Sequence, residues 1–303
     1  MGILKLHYPV CTLKGETILP AGTRLTDEII SKAASSGLKE DVEKFPVLDF
    51  GTVRQDIFYY IDSMPAYRRV FGSVNKRRSL LELMKDVRFP KPLLETLDYF
   101  KQYDAFTYRH MLMVFALTTH LAGEFLGDYR EVINEAIAGP FHDIGKICIP
   151  LEVLKKEHPL TKEELTLLRH HTIAGYILLI YYFKDTENFA AQVARDHHEK
   201  CDGSGYPNGV NLDNILVEIV AVSDMYDAIL SPRPYRPTPY VNRTALEEIT
   251  RMAEKGEIKW EILRALIASN RSSKPHHTDC VVSKEKRGSP PADNFYGVYA
   301  DDD

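Results

Sequence analysis

From Pro92 to about residue 270, almost every segment of the chain sets apolar residues three and four positions apart, the spacing that collects them on one face of an α-helix. The run "LLETLDYFKQYDAFTYRHMLMVFALTTHLAGEFLG" shows it at greatest length and predicts a helix closed by Gly127. Further helices are predicted over "REVINEAIAGPFHDIG", "TKEELTLLRHHTIAGYILLIYYF", "TENFAAQVARDHHE", "LDNILVEIVAVSDMYDAILS" and "NRTALEEITRMAEKG", with Thr161 capping the second of these. Each such helix must bury its apolar stripe against another, which predicts a helix bundle over residues 91–270.

The preceding residues 1–90 read differently. Short β-like runs with Gly and Pro, as in "YPVCTLKGETILPAGTRL", lead to a predicted helix at "TDEIISKAASSG". Thr26 serves as its N-cap, Asp27 and Glu28 put negative charge in its first turn, and Gly37 stops it. Residues 46–90 are polar without a clear period and end in "RFPKPLLE", where Pro90 and Pro92 mark a boundary. The expected fold is therefore mainly α, a helix bundle preceded by a small α/β N-terminal unit. Residues 271–303 lose periodicity and gather Ser, Pro and charge, the pattern of a flexible tail. His276 and His277 fall in that tail and are expected to face solvent.

A formal net charge of −5 provides no field that would favour DNA, RNA or an anionic membrane, so an anionic ligand would have to be drawn by a local cluster of positive charge. The most apolar run, "YILLIYYF", is far too short to span a bilayer, and the N-terminus lacks the apolar core of a signal peptide. Cys11, Cys148, Cys201 and Cys280 show no CxxC spacing, which suggests neither a zinc ribbon nor a disulfide framework. A cytoplasmic protein with reduced thiols is the expectation.

Candidate metal ligands are spread over five predicted helices: His110; His142 with Asp143; His171; His197 with His198; and Asp224. Imidazole and carboxylate together suit Fe, Mn or Zn, and bundle interiors host dinuclear sites. Seven groups exceed the need of one ion. Singly, each has an ordinary reading: His110 as a satisfied histidine on an amphipathic helix, Asp143 as a helix-terminal carboxylate. Adjacent histidines on a helix point about 100° apart, so His197 and His198 converge only where the helix end loosens. Asp202, Gly203, Gly205 and Pro207 make the turn that follows. Asp224 sits among apolar neighbours, where an unpaired carboxylate is costly and a cation would remove the cost. Asp227, one turn later, meets the same description, and periodicity leaves the choice open.

Taken in order, "FHDIGK", "HHEKCDGSGYP" and "AVSDMYDAILSPRPYR" resemble the HD-GYP family, a branch of the HD-domain metal-dependent phosphohydrolases, over roughly residues 95–245. The resemblance implies two divalent metal ions, iron first with Mn or Zn as alternatives. His142 and Asp143 match the name-giving pair, with Asp143 bridging the metals. His110, His171, His197, His198 and Asp224 match the remaining ligands, while His170 falls outside the set. Asp143 and Lys146 are the implied catalytic residues, Lys146 contacting the scissile phosphate. Arg233 and Arg236 of "SPRPYRP" are implied in binding the substrate's phosphates or guanine edges, for which guanidinium forks are suited. The motif loop, Asp202, Gly203, Gly205, Tyr206 and Pro207, would shape the mouth of the site or a surface for a diguanylate cyclase (GGDEF) domain.

The implied activity is hydrolysis of cyclic di-GMP to pGpG, and in some members on to GMP, by a bridging hydroxide. The alternatives are a catalytically weak cyclic di-GMP receptor or partner-binding signalling protein, and an HD hydrolase of another cyclic dinucleotide such as cyclic GMP-AMP. Two departures from the pattern bear on this. Phe106 stands where some members carry a glutamate that binds a third metal, so a dinuclear site is expected. Cys201 stands where an aromatic residue is usual. The segment "GETILPAGTRLT" more weakly resembles one found before some HD-GYP domains, which suggests a regulatory N-terminal unit.

Overall fold

The computed structural model of the chain describes residues 5–37, 43–126, 138–233, 238–283 and 285–291. The N-terminal unit opens with an antiparallel pair, β1 (Val10–Cys11) and β2 (Thr17–Leu19), followed by α1 (Asp27–Ser35). Thr26 caps α1 as expected, its hydroxyl accepting from Ile29 N at 3.3 Å. A second antiparallel pair joins β3 (Lys44–Pro46) to β4 (Arg88–Pro90), with Phe45 opposite Phe89. Between them the polar stretch forms three helices that periodicity had not indicated: α2 (Val53–Ser63), α3 (Pro65–Phe71) and α4 (Val74–Met84). Their apolar stripes are narrow; α2 buries Val53, Ile57 and Ile61 and leaves most of the rest to solvent.

The long helix expected from residue 93 is two: α5 (Lys91–Tyr103) and α6 (Ala105–Phe125). At Asp104 the backbone leaves the helical region, at φ −145° and ψ 76°. Its carboxylate then caps α6, accepting from Thr107 N at 3.2 Å and Thr107 Oγ1 at 2.6 Å. Gly127, expected to close the helix, lies outside the described residues.

The helix expected to run through "AGPFHDIG" is also absent from its described part. Here the chain makes two 3-10 turns, Gly139–Phe141 and Ile144–Cys148, with His142 and Asp143 between them. Pro140, which has no N–H to give an α-helical ladder, sits in the first turn.

Next come α7 (Leu151–Leu154), α8 (Lys162–Arg169) and α9 (His171–Phe183). Thr161 caps α8 in a reciprocal capping box with Glu164. The predicted single helix breaks at His170, where the His171 ring bonds the Leu168 carbonyl at 2.6 Å and so competes for a group the helical ladder would use. The series ends with α10 (Phe189–Asp196), α11 (Ile215–Leu230), α12 (Asn242–Glu254) and α13 (Trp260–Asn270).

Three helices, α6, α9 and α11, are buried on almost every side. A helix apolar all round belongs at the centre of a bundle, and these three are its axis. One core runs from Leu6 to Leu266, so the sequence boundary at residue 90 coincides with the end of β4 but not with a gap in packing. The described part of the C-terminal segment lies against the bundle: Cys280 is buried, and Gly288 N donates to Glu247 Oε2 at 2.8 Å. Among the described residues no helix is long and apolar enough to cross a membrane.

Candidate metal centre

The three axial helices bring the expected donors together. His110 projects from α6, His171 opens α9, and Asp224 lies on α11. His142 and Asp143 come from the break between the 3-10 turns, and His197 and His198 follow the last residue of α10. The seven groups form overlapping sets: His110, His142 and Asp224; His142, Asp143 and His197; His171, His197 and His198, with ligand atoms in each set within 4.8 Å of one another.

Asp143 sits between the two ends of this cluster. Its Oδ2 lies 3.5 Å from both His110 Nε2 and His142 Nε2, while its Oδ1 lies 3.4 Å from His171 Nε2. Each carboxylate oxygen thus faces a different histidine group. On the first side Asp224 Oδ1 adds a donor 2.9 Å from His110 Nε2; on the second, His171 Nε2 and His197 Nε2 are 3.4 Å apart. Lys146 reaches back from the second turn to put Nζ 2.5 Å from Asp143 Oδ2. Burial pushes the Asp143 carboxyl up, but Lys146 and the surrounding histidines more than offset it and hold it well below the usual carboxylate range.

The rings are oriented from behind. His142 Nδ1 lies 2.7 Å from Gly139 O, His171 Nδ1 2.6 Å from Leu168 O, and His197 Nδ1 3.0 Å from Ala194 O. A carbonyl only accepts, so each Nδ1 carries the proton and each Nε2 presents a lone pair to the centre. Burial lowers His142 to about 4 and His171 to about 3, which keeps them neutral, the form that binds metal. The Nε2 atom of His142 is buried without a hydrogen bond. Buried acceptors in that condition are rare unless an ion satisfies them.

For His110 the partner behind the ring is Asp227, whose Oδ2 is 2.7 Å from Nδ1. Asp224 thus faces the donor cluster, while Asp227 stands behind His110. Asp227 also accepts a bidentate pair from Arg109, at 3.0 and 2.8 Å, and a bond from the Tyr67 hydroxyl at 2.8 Å. Neither Arg109 nor Tyr67 was a sequence candidate. A buried aspartate on an apolar helix signals that some partner must exist, but not which one.

Other expected residues distribute as follows. His170 is buried against Tyr8, with ring centroids 5.7 Å apart, and joins none of the donor sets. Phe106, one turn before His110, is 38% exposed and offers no donor atom. Arg233 is half-buried just beyond α11, and Arg236 lies outside the described residues. In the motif loop, Asp202 and Ser204 are exposed, and Asp202 Oδ1 accepts from Ser204 N at 3.0 Å. Gly203 has φ +77°, a conformation open to glycine at little cost. Cys201 is half-buried, and burial pushes its thiol up to about 11. His276 is exposed as expected, while His277 is half-buried against Phe125 at 4.8 Å.

Residues 101–258, just over half of the chain, match the family described as HD domain. The chain belongs to the HD domain family. Within the HD domain proteins its motif order is that of the HD-GYP branch. It is similar to a cyclic di-GMP phosphodiesterase of Thermotoga maritima, 32% identical over 243 residues, which are 75% of this chain and 63% of that protein. A cyclic di-GMP phosphodiesterase of Pseudomonas aeruginosa is 36% identical over 184 residues, 60% of this chain and 43% of that one. A 3'3'-cGAMP-specific phosphodiesterase of Vibrio cholerae is 36% identical over 121 residues, 39% of this chain and 23% of that protein. The chain thus spans less than two thirds of the length of each of these relatives. The donor set of this HD domain, imidazoles and carboxylates in two groups either side of Asp143, fits a pair of divalent cations.

Proposed function

We propose that this chain is a cyclic di-GMP phosphodiesterase working through a dinuclear metal centre, with pGpG as product. The observation that carries the reading is Asp143, whose two oxygens face two separate histidine groups. In this reading His110, His142, Asp143 and Asp224 hold one cation, and Asp143, His171, His197 and His198 hold the other. Iron is the proposed metal, with Mn and Zn accepted by the same donors. Bound cations supply acidity to a shared water and offset charge on the phosphoryl oxygens. The backbone carbonyls and Asp227 keep the imidazole lone pairs aimed inward, so no reorientation is needed when substrate arrives. Lys146, beside Asp143, meets a phosphoryl oxygen with its ammonium. Arg233 and Arg236 receive the remaining phosphate or guanine edges.

A diguanylate cyclase (GGDEF) domain docking on the motif loop belongs to the same proposal. It would meet the exposed side chains Asp202, Ser204 and Val210. We assign the protein to the cytoplasm, where its four free thiols would stay reduced.

The deciding experiment is metal analysis of protein purified without oxygen, combined with a product assay on cyclic di-GMP and, in parallel, on cyclic GMP-AMP. Two bound metals and release of pGpG are expected, and Asp143→Ala should lose both. Retained turnover in that variant would sink the assignment. Two bound metals with tight nucleotide binding but no cleavage would make the chain a receptor, and preferential cleavage of cyclic GMP-AMP would reassign its substrate.

A further inference from the structure

The five imidazoles of the centre are not held alike. The Nδ1 atoms of His110, His142, His171 and His197 each have a carboxylate or carbonyl oxygen within 3.1 Å. His198 has no such bond among the described residues. Its Nδ1 lies 4.0 Å from Asp224 Oδ2, and its side chain is 26% exposed where those of His110, His142 and His171 are at most 2%. The ring torsion of a histidine is soft, so a ligand without a bond behind it needs another constraint.

That constraint is a ring face. Tyr206 lies nearly parallel to His198, with centroids 4.6 Å apart and planes 23° from each other. The Tyr206 ring in turn carries the Arg169 guanidinium, 4.9 Å from its centroid, a distance at which cation and π-cloud attract. The loop is delivered there by its backbone: Tyr206 N donates to His198 O at 3.1 Å. A Cβ on Gly205 would lie only 2.4 Å from that same carbonyl, so the approach requires glycine. Beyond the tyrosine, Glu199 accepts from Asn208 N at 2.6 Å and Val210 N at 3.2 Å, which ties the far limb down.

We propose that Tyr206 is a positioning residue for His198 and that Arg169 braces it: the stack fixes the plane of the imidazole that no hydrogen bond orients. The proposal rests on the dinuclear reading above. It gives the tyrosine of the motif loop a task inside the site, separate from any partner that meets the loop's exposed side.

Mn(II) alone is the probe. Full-length protein stripped with chelator is titrated by calorimetry, and bound ions are counted by electron paramagnetic resonance, with no turnover involved. Wild type should take up two ions. Tyr206→Leu should weaken one of the two by about 10- to 100-fold and spare the other, while Tyr206→Phe, which keeps the ring, should stay within about threefold of wild type. Arg169→Ala, at an exposed position, should weaken the same ion by a smaller factor. Wild-type affinity for both ions in Tyr206→Leu, or a loss in Tyr206→Phe as large as in Tyr206→Leu, would overturn the proposal while leaving the dinuclear reading intact. Unchanged affinity in Arg169→Ala would overturn the brace, and wild type that binds no Mn(II) would overturn the dinuclear reading and this proposal together.

Discussion

Asp227 carries two loads at once: it fixes the tilt of His110 and neutralises Arg109, whose side chain is only 12% exposed. Burial pushes its carboxyl up, and Arg109 with His110 brings it back below the ordinary range. Asp227→Ala should therefore cost about 3 kcal/mol or more of stability, because a mostly buried guanidinium loses its partner. It should also lower metal affinity about tenfold or more through the unsupported imidazole. Urea denaturation and a metal titration measure the two effects separately; a fully stable variant would contradict the first. From sequence, Asp224 and Asp227 could not be told apart, since both lie on the same apolar helix within one turn. What separates them are Arg109 and Tyr67, which lie 118 and 160 positions away along the chain. No local pattern encodes such contacts.

At the scale of elements, the site depends on close backbone approaches. A Cβ on Gly145 would stand 1.9 Å from His171 O and 2.5 Å from Gly175 N, so the turn that carries Asp143 touches the start of α9 directly. Gly145→Ala must push the two apart. It should cost about 1–3 kcal/mol, as overpacking does, and should release metal if Asp143 and His171 share the proposed ion; thermal melting and metal content after gel filtration would check this. The sequence anticipated the helical segments that carry His110, His171 and Asp224, but it misread how they join and put His142 and Asp143 on a helix where the chain makes two 3-10 turns. The breaks at Asp104 and His170 arise because a side chain takes a backbone group, Asp104 bonding Thr107 N and His171 bonding Leu168 O, and hydrophobic periodicity does not register that competition. Helices α2 to α4 escaped for a related reason: their apolar stripes are too narrow to stand out from the charged residues around them.

For the whole molecule, buried neutral histidines set the response to acid. Burial lowers His142 to about 4, and His120 and His171 to about 3, from an ordinary 6.5. In metal-free protein the unfolded chain takes up these protons as pH falls through 6.5, whereas the folded chain does not until far lower. Stability present above pH 6.5 is thus lost on acidification, by about 1.4 kcal/mol per histidine at pH 5.5. Urea midpoints in chelator should be clearly lower at pH 5.5 than at pH 7.5; an equal or higher midpoint would refute this.

The shared core makes a second prediction at this scale. The full chain should melt in one transition, and a fragment lacking residues 1–90 should lose that cooperativity, because it removes Tyr67 from Asp227 and uncovers the packing of α5 and α6. Calorimetry of both proteins would decide it. The bundle was legible because buried helix faces leave a periodic trace, whereas the proposed donor set was reached through the family resemblance, since each histidine or aspartate taken singly has an ordinary reading. The continuity of the core across residue 90 was not legible, since prolines mark local backbone and carry no information about which side chains pack across them.

The spread of the donors along the chain has one more consequence. His110 is synthesised long before Asp224, and five separate elements must dock before the two carboxylates and five imidazoles meet. A polypeptide released before α11 is complete lacks Asp224 and cannot assemble the half of the proposed pair that needs it. Cation uptake would then act as an inspection step: only molecules that have finished folding take up the full pair, and that loading, by mass action on the native state, is what keeps them finished.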